Sequence, residues 1–128
     1  MKTIKQSYLI NASVIDVWQA LVDPHIIDQW GGGPAKMSDQ VGADFELWGG
    51  DVYGKNREVV PQRKLVQEWF SGDWDEPSIL TIHLHKKKAD VTIIDLIQER
   101  LPSREAASVE QGWKDYYMNP LKKLLEEK

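Results

Sequence analysis

The segment Asn11 to Pro34, NASVIDVWQALVDPHIIDQWGGGP, constrains the fold more tightly than any other stretch of this chain. Ser13 suits the cap of a helix, with Asp16 three residues on as a shortened capping box. Val14, Val17, Trp18, Leu21 and Val22 then recur at i, i+3, i+4, i+7 and i+8, which makes one apolar helical face. Asp23-Pro24 stops that helix, and Pro24 fits the first position of a second, whose apolar side is Ile26, Ile27 and Trp30. Gly31-Gly32-Gly33 follow. A phosphate loop takes its glycines after a strand and before a helix, with a Lys-Ser/Thr pair or a G-x-G-x-x-G spacing. Here a helix precedes the glycines and Pro34 follows them, so they read as a helix end and a turn.

Most of what remains alternates. Ile4 to Ile10 reads as a strand, with Ile4, Tyr8 and Ile10 on one face and Leu9 on the other. Val41-Gly42 is a turn. Ala43 to Trp48 sets Phe45 and Leu47 against Asp44, Glu46 and Trp48, and Gly49-Gly50-Asp51 signals a hairpin. Val52 to Val60 continues as a strand ended by Pro61, and Leu65 to Phe70 is another. After the acidic loop Ser71 to Ser78, Ile79 to His85 sets Leu80, Ile82 and Leu84 against Thr81, His83 and His85. Lys86 to Asp90 reads as a turn. Val91 to Gln98 is apolar on both faces, as a central strand is.

The last element is a helix starting near Ser103 or Ser108 and running to Leu125. Val109, Trp113, Tyr117, Leu121 and Leu124 form its stripe, with Tyr116 and Leu125 at the edge. Gly112 costs such a helix about 1 kcal/mol, which points to a close approach there. Pro120 predicts a kink. Hairpin-length connections require an antiparallel sheet. The expected fold is α+β, one domain over residues 1–128: a curved antiparallel sheet of about six strands wrapped around a long C-terminal helix, with two short helices after the first strand.

Composition narrows the function classes. The 128 residues are enough to bury a core without staples. No apolar run approaches the roughly 20 residues that span a bilayer, so no membrane insertion is expected. Met1-Lys2-Thr3 leads straight into a strand pattern, with no apolar leader, and the cytoplasm is the expected compartment. Absence of cysteine excludes disulfides, thiol nucleophiles and zinc-thiolate sites. A net charge of −4 argues against a nucleic-acid partner. The unusual item is six tryptophans, each able to dominate a core or a pocket wall.

The order of elements, with specific residues, resembles the START-like helix-grip superfamily known as SRPBCC, and within it the homologues of the activator of the heat-shock protein 90 ATPase. The resemblance covers nearly the whole chain. It rests on VWQALVDPHIIDQW, on Gly42-x-x-Phe45-x-Leu47, on VVPQRKLVQEW, on EPS before the fifth strand, on Thr92-x-Ile94-x-Leu96 and on GWKDYYMNPLKKLLEE. Members bind hydrophobic ligands, act as cyclases or hydrolases, or assist chaperones, so the fold does not settle the function. The activators that name the group carry a separate N-terminal domain that contributes to stimulating the ATPase. This chain starts at the first strand, so ligand binding is expected ahead of chaperone activation.

The resemblance implies a cavity between the concave face of the sheet and the long helix. By it, Phe45, Leu47, Trp69, Leu80, Ile82, Leu84, Ile94, Leu96 and Gln98 lie on the concave face, Trp113, Tyr116 and Tyr117 come from the helix, and Trp30 plugs the mouth. Those residues are the candidate ligand-binding set; the alternative is a packed core filled by the same aromatics. Gln98 and the tyrosine hydroxyls are the polar groups expected near a ligand, unless they pair with one another.

Other candidates read more simply as surface. His83 and His85 share one strand face, with Asp95 on the neighbouring strand, but the resemblance places that face outside, and no metal site or cofactor is expected. Arg57 and Glu58 are adjacent in a strand, so one of them points inward unless an irregularity near Gly54 leaves a surface ion pair. Trp74, in the acidic loop GDWDEP, is either a gate or partner contact or is folded back on the sheet edge. Lys86 to Lys88 reads as a charged hairpin tip, and Lys122, Lys123, Glu126 and Glu127 as a solvated helix face. No nucleophile-base pair and no G-x-S-x-G elbow is present, so no catalytic residue is assigned. The expected role is binding of an apolar, lipid-like small molecule. A chaperone-linked, stress-related interaction with a filled cavity and a cyclase- or hydrolase-like enzyme are the alternatives. Edge strands leave monomer and homodimer both open.

Overall fold

The structure, a computed structural model, describes residues 1–127. Its first strand, β1 (Lys2–Ile10), leads into α1 (Val14–Val22) and α2 (Pro24–Trp30). The Ser13 side chain accepts from the Asp16 N–H, and the Asp23 carboxylate accepts from the His25 N–H with Pro24 at the start of α2. The Ser13 cap and the Pro24 start are the ones the residue order predicts, and Asp23 adds a cap of its own. Gly31, with φ 103°, ends α2 in the left-handed conformation. The Gly31 and Gly32 N–H groups both return to the Ile27 carbonyl, which is why a residue without a Cβ is needed there.

Five strands follow: β2 (Asp44–Leu47), β3 (Val52–Val60), β4 (Lys64–Ser71), β5 (Ser78–Lys88) and β6 (Val91–Leu101). They form with β1 one antiparallel sheet of order β1-β6-β5-β4-β3-β2. Since β6 lies between β1 and β5, its apolar character on both faces has the expected cause. The β5–β6 hairpin is longer than its sequence suggests. Lys86 pairs with Thr92 and Lys88 with Val91, so Lys86 to Lys88 are exposed strand residues and the turn shrinks to Ala89-Asp90. Gly54 is the point of closest backbone approach: a Cβ there would collide with the Glu68 carbonyl on β4.

The C-terminal helix comprises α3 (Ala106–Gly112), a π-helical turn (Trp113–Met118) and α4 (Asn119–Glu126), with right-handed helical backbone at both junctions. In the wide turn the Asn119 N–H donates to the Lys114 carbonyl, five residues back. Trp113, Tyr117 and Leu121 are buried as expected; the extra residue adds Met118 to the stripe and moves its end to Leu125, while Leu124 is only half-buried. Pro120 follows directly on this widened turn, near the start of α4.

The core lies between the concave sheet face, the inner faces of α1 and α2, and this helix. Phe45, Leu47, Leu65, Leu80, Ile82, Ile94 and Leu96 are at most 1% exposed, so strict alternation along β2 and β4–β6 has delivered one apolar row per strand.

Candidate functional site

One end of the core is open. A half-open cavity of about 410 Å³ lies between β3, β4 and the C-terminal helix. Its wall is largely aromatic: Trp48 from the β2–β3 turn, Trp69 from β4, Trp74 from the β4–β5 loop, and Trp113, Tyr116 and Tyr117 from the π turn. Val52, Val109 and Gly112 complete the apolar part, and Asp51, Ser71 and Ser108 supply the polar rim. Positions 113, 116 and 117 share a helical face, so the π turn delivers three rings to one place.

The rings pack on one another as well as on the cavity. Trp69 and Trp113 stack with centroids 5.0 Å apart, and Tyr117 lies 4.6 Å from Trp113 and 6.4 Å from Trp69. Two buried glutamines fix the indoles. The Trp69 Nε1–H donates to Gln67 Oε1 at 2.9 Å, and the Trp113 Nε1–H donates to Gln98 Oε1 at 2.8 Å. Gln67 Nε2 in turn donates to Asn56 Oδ1, and Gln98 Nε2 to Ser78 Oγ. Asn56 closes the first chain by donating to the Ser38 and Gln40 carbonyls. All six side chains, Asn56, Gln67, Ser78, Gln98 and the two indoles, are thus satisfied without solvent.

Tyr117 differs. It lines the cavity yet is only 2% exposed. Burial pushes its phenol well above the ordinary tyrosine range, with no charge or hydrogen bond opposing the rise. Gly112 keeps the helix side of the cavity open. A Cβ there would meet only Tyr116 Cδ2, at 3.8 Å, so the close approach expected at this glycine is absent and its missing side chain is cavity space.

Of the thirteen residues expected around a ligand, Trp69, Trp113, Tyr116 and Tyr117 line the cavity. Phe45, Leu47, Leu80, Ile82, Leu84, Ile94 and Leu96 pack in the core beyond it. Gln98 is fully buried behind Trp113 and is used up by its two partners. Trp30 is not at the mouth. It is 4% exposed, its indole N–H donates to the Ala20 carbonyl, and its ring packs 4.7 Å from Tyr117, off the cavity lining. Short helices α1 and α2 close the core at this end, which leaves the opening at the β3–β4 side.

Two lining tryptophans escaped the sequence pattern. Alternation aims Trp48 outward with Glu46, but the chain leaves strand geometry there. Trp48 has φ 51°, uncommon for so bulky a residue, and this turn re-aims its ring inward to within 6.2 Å of Tyr117. Trp74 folds back, half-buried, and its loop is held by Arg100–Glu76 at 3.3 Å and Arg104–Asp73 at 3.8 Å. The other charged candidates are surface features. A bulge between Asn56 and Glu58, two residues past Gly54, lets Arg57 pair with Glu68 and Glu58 with Lys64, all on the outer face. His85 pairs with Asp95 at 3.0 Å on the exposed convex side. No group of three metal-ligating side chains occurs among the described residues.

The cavity presents aromatic rings over most of its wall. Its serines are engaged with backbone, Ser71 with the Asp51 carbonyl and Ser108 with the Glu105 carbonyl. No helix among the described residues is long and apolar enough to cross a membrane.

Residues 11–126 match the profile of the family described as Activator of Hsp90 ATPase homolog 1-like protein. The "Activator of 90 kDa heat shock protein ATPase homolog" of Dictyostelium discoideum is 25% identical over 123 residues, which is 94% of this chain and 32% of that protein. The chain spans only about a third of the length of the curated relatives it matches. Among solved structures, an HSP90 activator from Plasmodium falciparum superposes with a TM-score of 0.89 at 19% identity, covering 98% of this chain and 97% of that one. The Aha1 dimer of Colwellia psychrerythraea gives 0.82 at 18% identity, covering 98% and 97%. These structural likenesses establish a common helix-grip fold.

Proposed function

The chain belongs to the family of Activator of Hsp90 ATPase homolog 1-like proteins, and from that premise we propose that it binds an apolar small molecule in the aromatic cavity beside its C-terminal helix. One observation carries this reading: about 410 Å³ of space bounded by six aromatic residues, Tyr117 among them. A core built only for stability fills such space, since close packing is the rule in protein interiors. The volume lies within the range of small-molecule sites, and the ratio of apolar wall to polar groups is that of a ligand pocket.

A thermal-shift screen with lipid and aromatic metabolites tests the proposal, read in parallel by tryptophan fluorescence. A compound present at about 100 times its Kd raises stability by about 2.7 kcal/mol. If no compound class moves the melting temperature or the emission, the binding proposal fails.

A second reading has a specific observation behind it. The relatives in Dictyostelium discoideum and Homo sapiens bear the name of activators of the 90 kDa heat-shock protein ATPase, so a chaperone-linked role is the alternative for this chain. Titrating the protein against an Hsp90-type chaperone, with ATP turnover as readout, separates the two: chaperone binding that survives filling of the cavity favours the interaction role.

A further inference from the structure

We propose that the cavity is selective for organic cations, namely a quaternary or tertiary ammonium attached to an apolar or aromatic body. The inference rests on the reading that the cavity takes a small molecule and names the class it prefers. Half of the lining residues are aromatic, and four of them are tryptophans. The faces of such rings carry negative potential and attract cations, tryptophan most strongly, and cages of this kind hold alkylated ammonium groups.

The charges around the cavity point the same way. The one charged residue on its lining is Asp51, and no cation pairs with that carboxylate among the described residues. The nearby arginines are already committed, Arg100 to Glu76 and Arg104 to Asp73 and Glu105. An anionic ligand would meet ring faces and a carboxylate, with no lining cation to receive it. A primary ammonium would lose strong hydration on entering an aromatic site with few acceptors, whereas alkylation weakens that hydration and spreads the charge over methyl groups that pack against rings. The volume suits a compact cation better than a long acyl chain.

The test is a matched trio: phenylpropyl-trimethylammonium, its neutral tert-butyl isostere and 4-phenylbutyrate. Each is titrated at low salt, with tryptophan emission and the indole N–H resonances of the protein as readouts. The cation is expected to bind about tenfold more tightly than the isostere, and the anion most weakly. Asp51→Asn should cut the cation's advantage about threefold without changing isostere affinity, because the carboxylate sits at a solvated rim where charge is screened. Trp74→Ala should weaken the cation more than the isostere. Equal affinity for cation and isostere overturns the charge selectivity and leaves the small-molecule reading standing. If none of the three binds at millimolar concentration and no indole resonance moves, both readings fall.

Discussion

Trp69 and Trp113 stack across the gap between the sheet and the C-terminal helix, 5.0 Å apart and 25° from parallel, and a different buried glutamine holds each indole. Trp69 is fixed by Gln67 from its own strand, two residues away, and Trp113 by Gln98 across the core. The stack joins the two layers of the fold and forms one wall of the cavity, so a change to its supports reaches both stability and binding.

Removing a support tests this. Gln98→Leu leaves the Trp113 N–H and the Ser78 hydroxyl buried without their partner, at an expected cost of about 1–3 kcal/mol. Urea unfolding measures the loss, and near-ultraviolet circular dichroism should report a changed tryptophan environment. A variant within about 0.5 kcal/mol of the parent, with an unaltered spectrum, would show that the glutamine does not position the ring.

Gly112 separates helix stability from cavity space. Gly112→Ala should raise stability by up to about 1 kcal/mol, since alanine favours the helix and its Cβ meets only the edge of Tyr116. Gly112→Leu places a large side chain in the cavity. It should stay folded and lose any ligand that stabilises the parent protein. Retained ligand affinity in the leucine variant would remove this cavity as the binding site.

Tyr117→Phe deletes a hydroxyl whose raised titration has burial as its cause and no hydrogen bond opposing it, so folding stability at neutral pH should change by less than about 0.5 kcal/mol. Alkaline unfolding supplies the sign. The folded phenol titrates well above the unfolded one, so from about pH 10 upward the unfolded state releases a proton that the folded state keeps. Stability therefore falls with rising pH in that range, and the fall should be shallower in the phenylalanine variant. Equal slopes in the two proteins would contradict a buried, protonated Tyr117.

Glu126 predicts the acid side. Burial by itself would raise its carboxyl, but the Asn11 backbone N–H and the Lys122 ammonium together outweigh that and hold it below the usual range. A depressed carboxyl contributes stability above its unfolded pKa of about 4.3, and that contribution is lost as pH falls through the folded value. Thermal melts between pH 6 and pH 3 should show a smaller acid loss in Glu126→Gln than in the parent. The same substitution should loosen the end of α4 from the residues after β1, read as faster amide exchange at Asn11.

The end of the C-terminal apolar stripe differs from the expected one, with Leu125 buried and Leu124 half-buried, because the expectation assumed 3.6 residues per turn throughout and the chain has one wide turn between Trp113 and Met118. Trp48 was missed for a related reason: alternation holds only while the backbone stays extended, and one left-handed residue re-aims the ring.

The sequence by itself determined the helices and their stops, the strand rows that build the core and the antiparallel order, because capping, period-2 burial and turn chemistry act within a few residues. Only the tertiary structure decided where the core stays open and what lines the opening. The cavity is the residue of packing among β3, β4, a folded-back loop and a π turn, and no local pattern encodes whether side chains brought together from four distant segments fill the space between them or leave it empty.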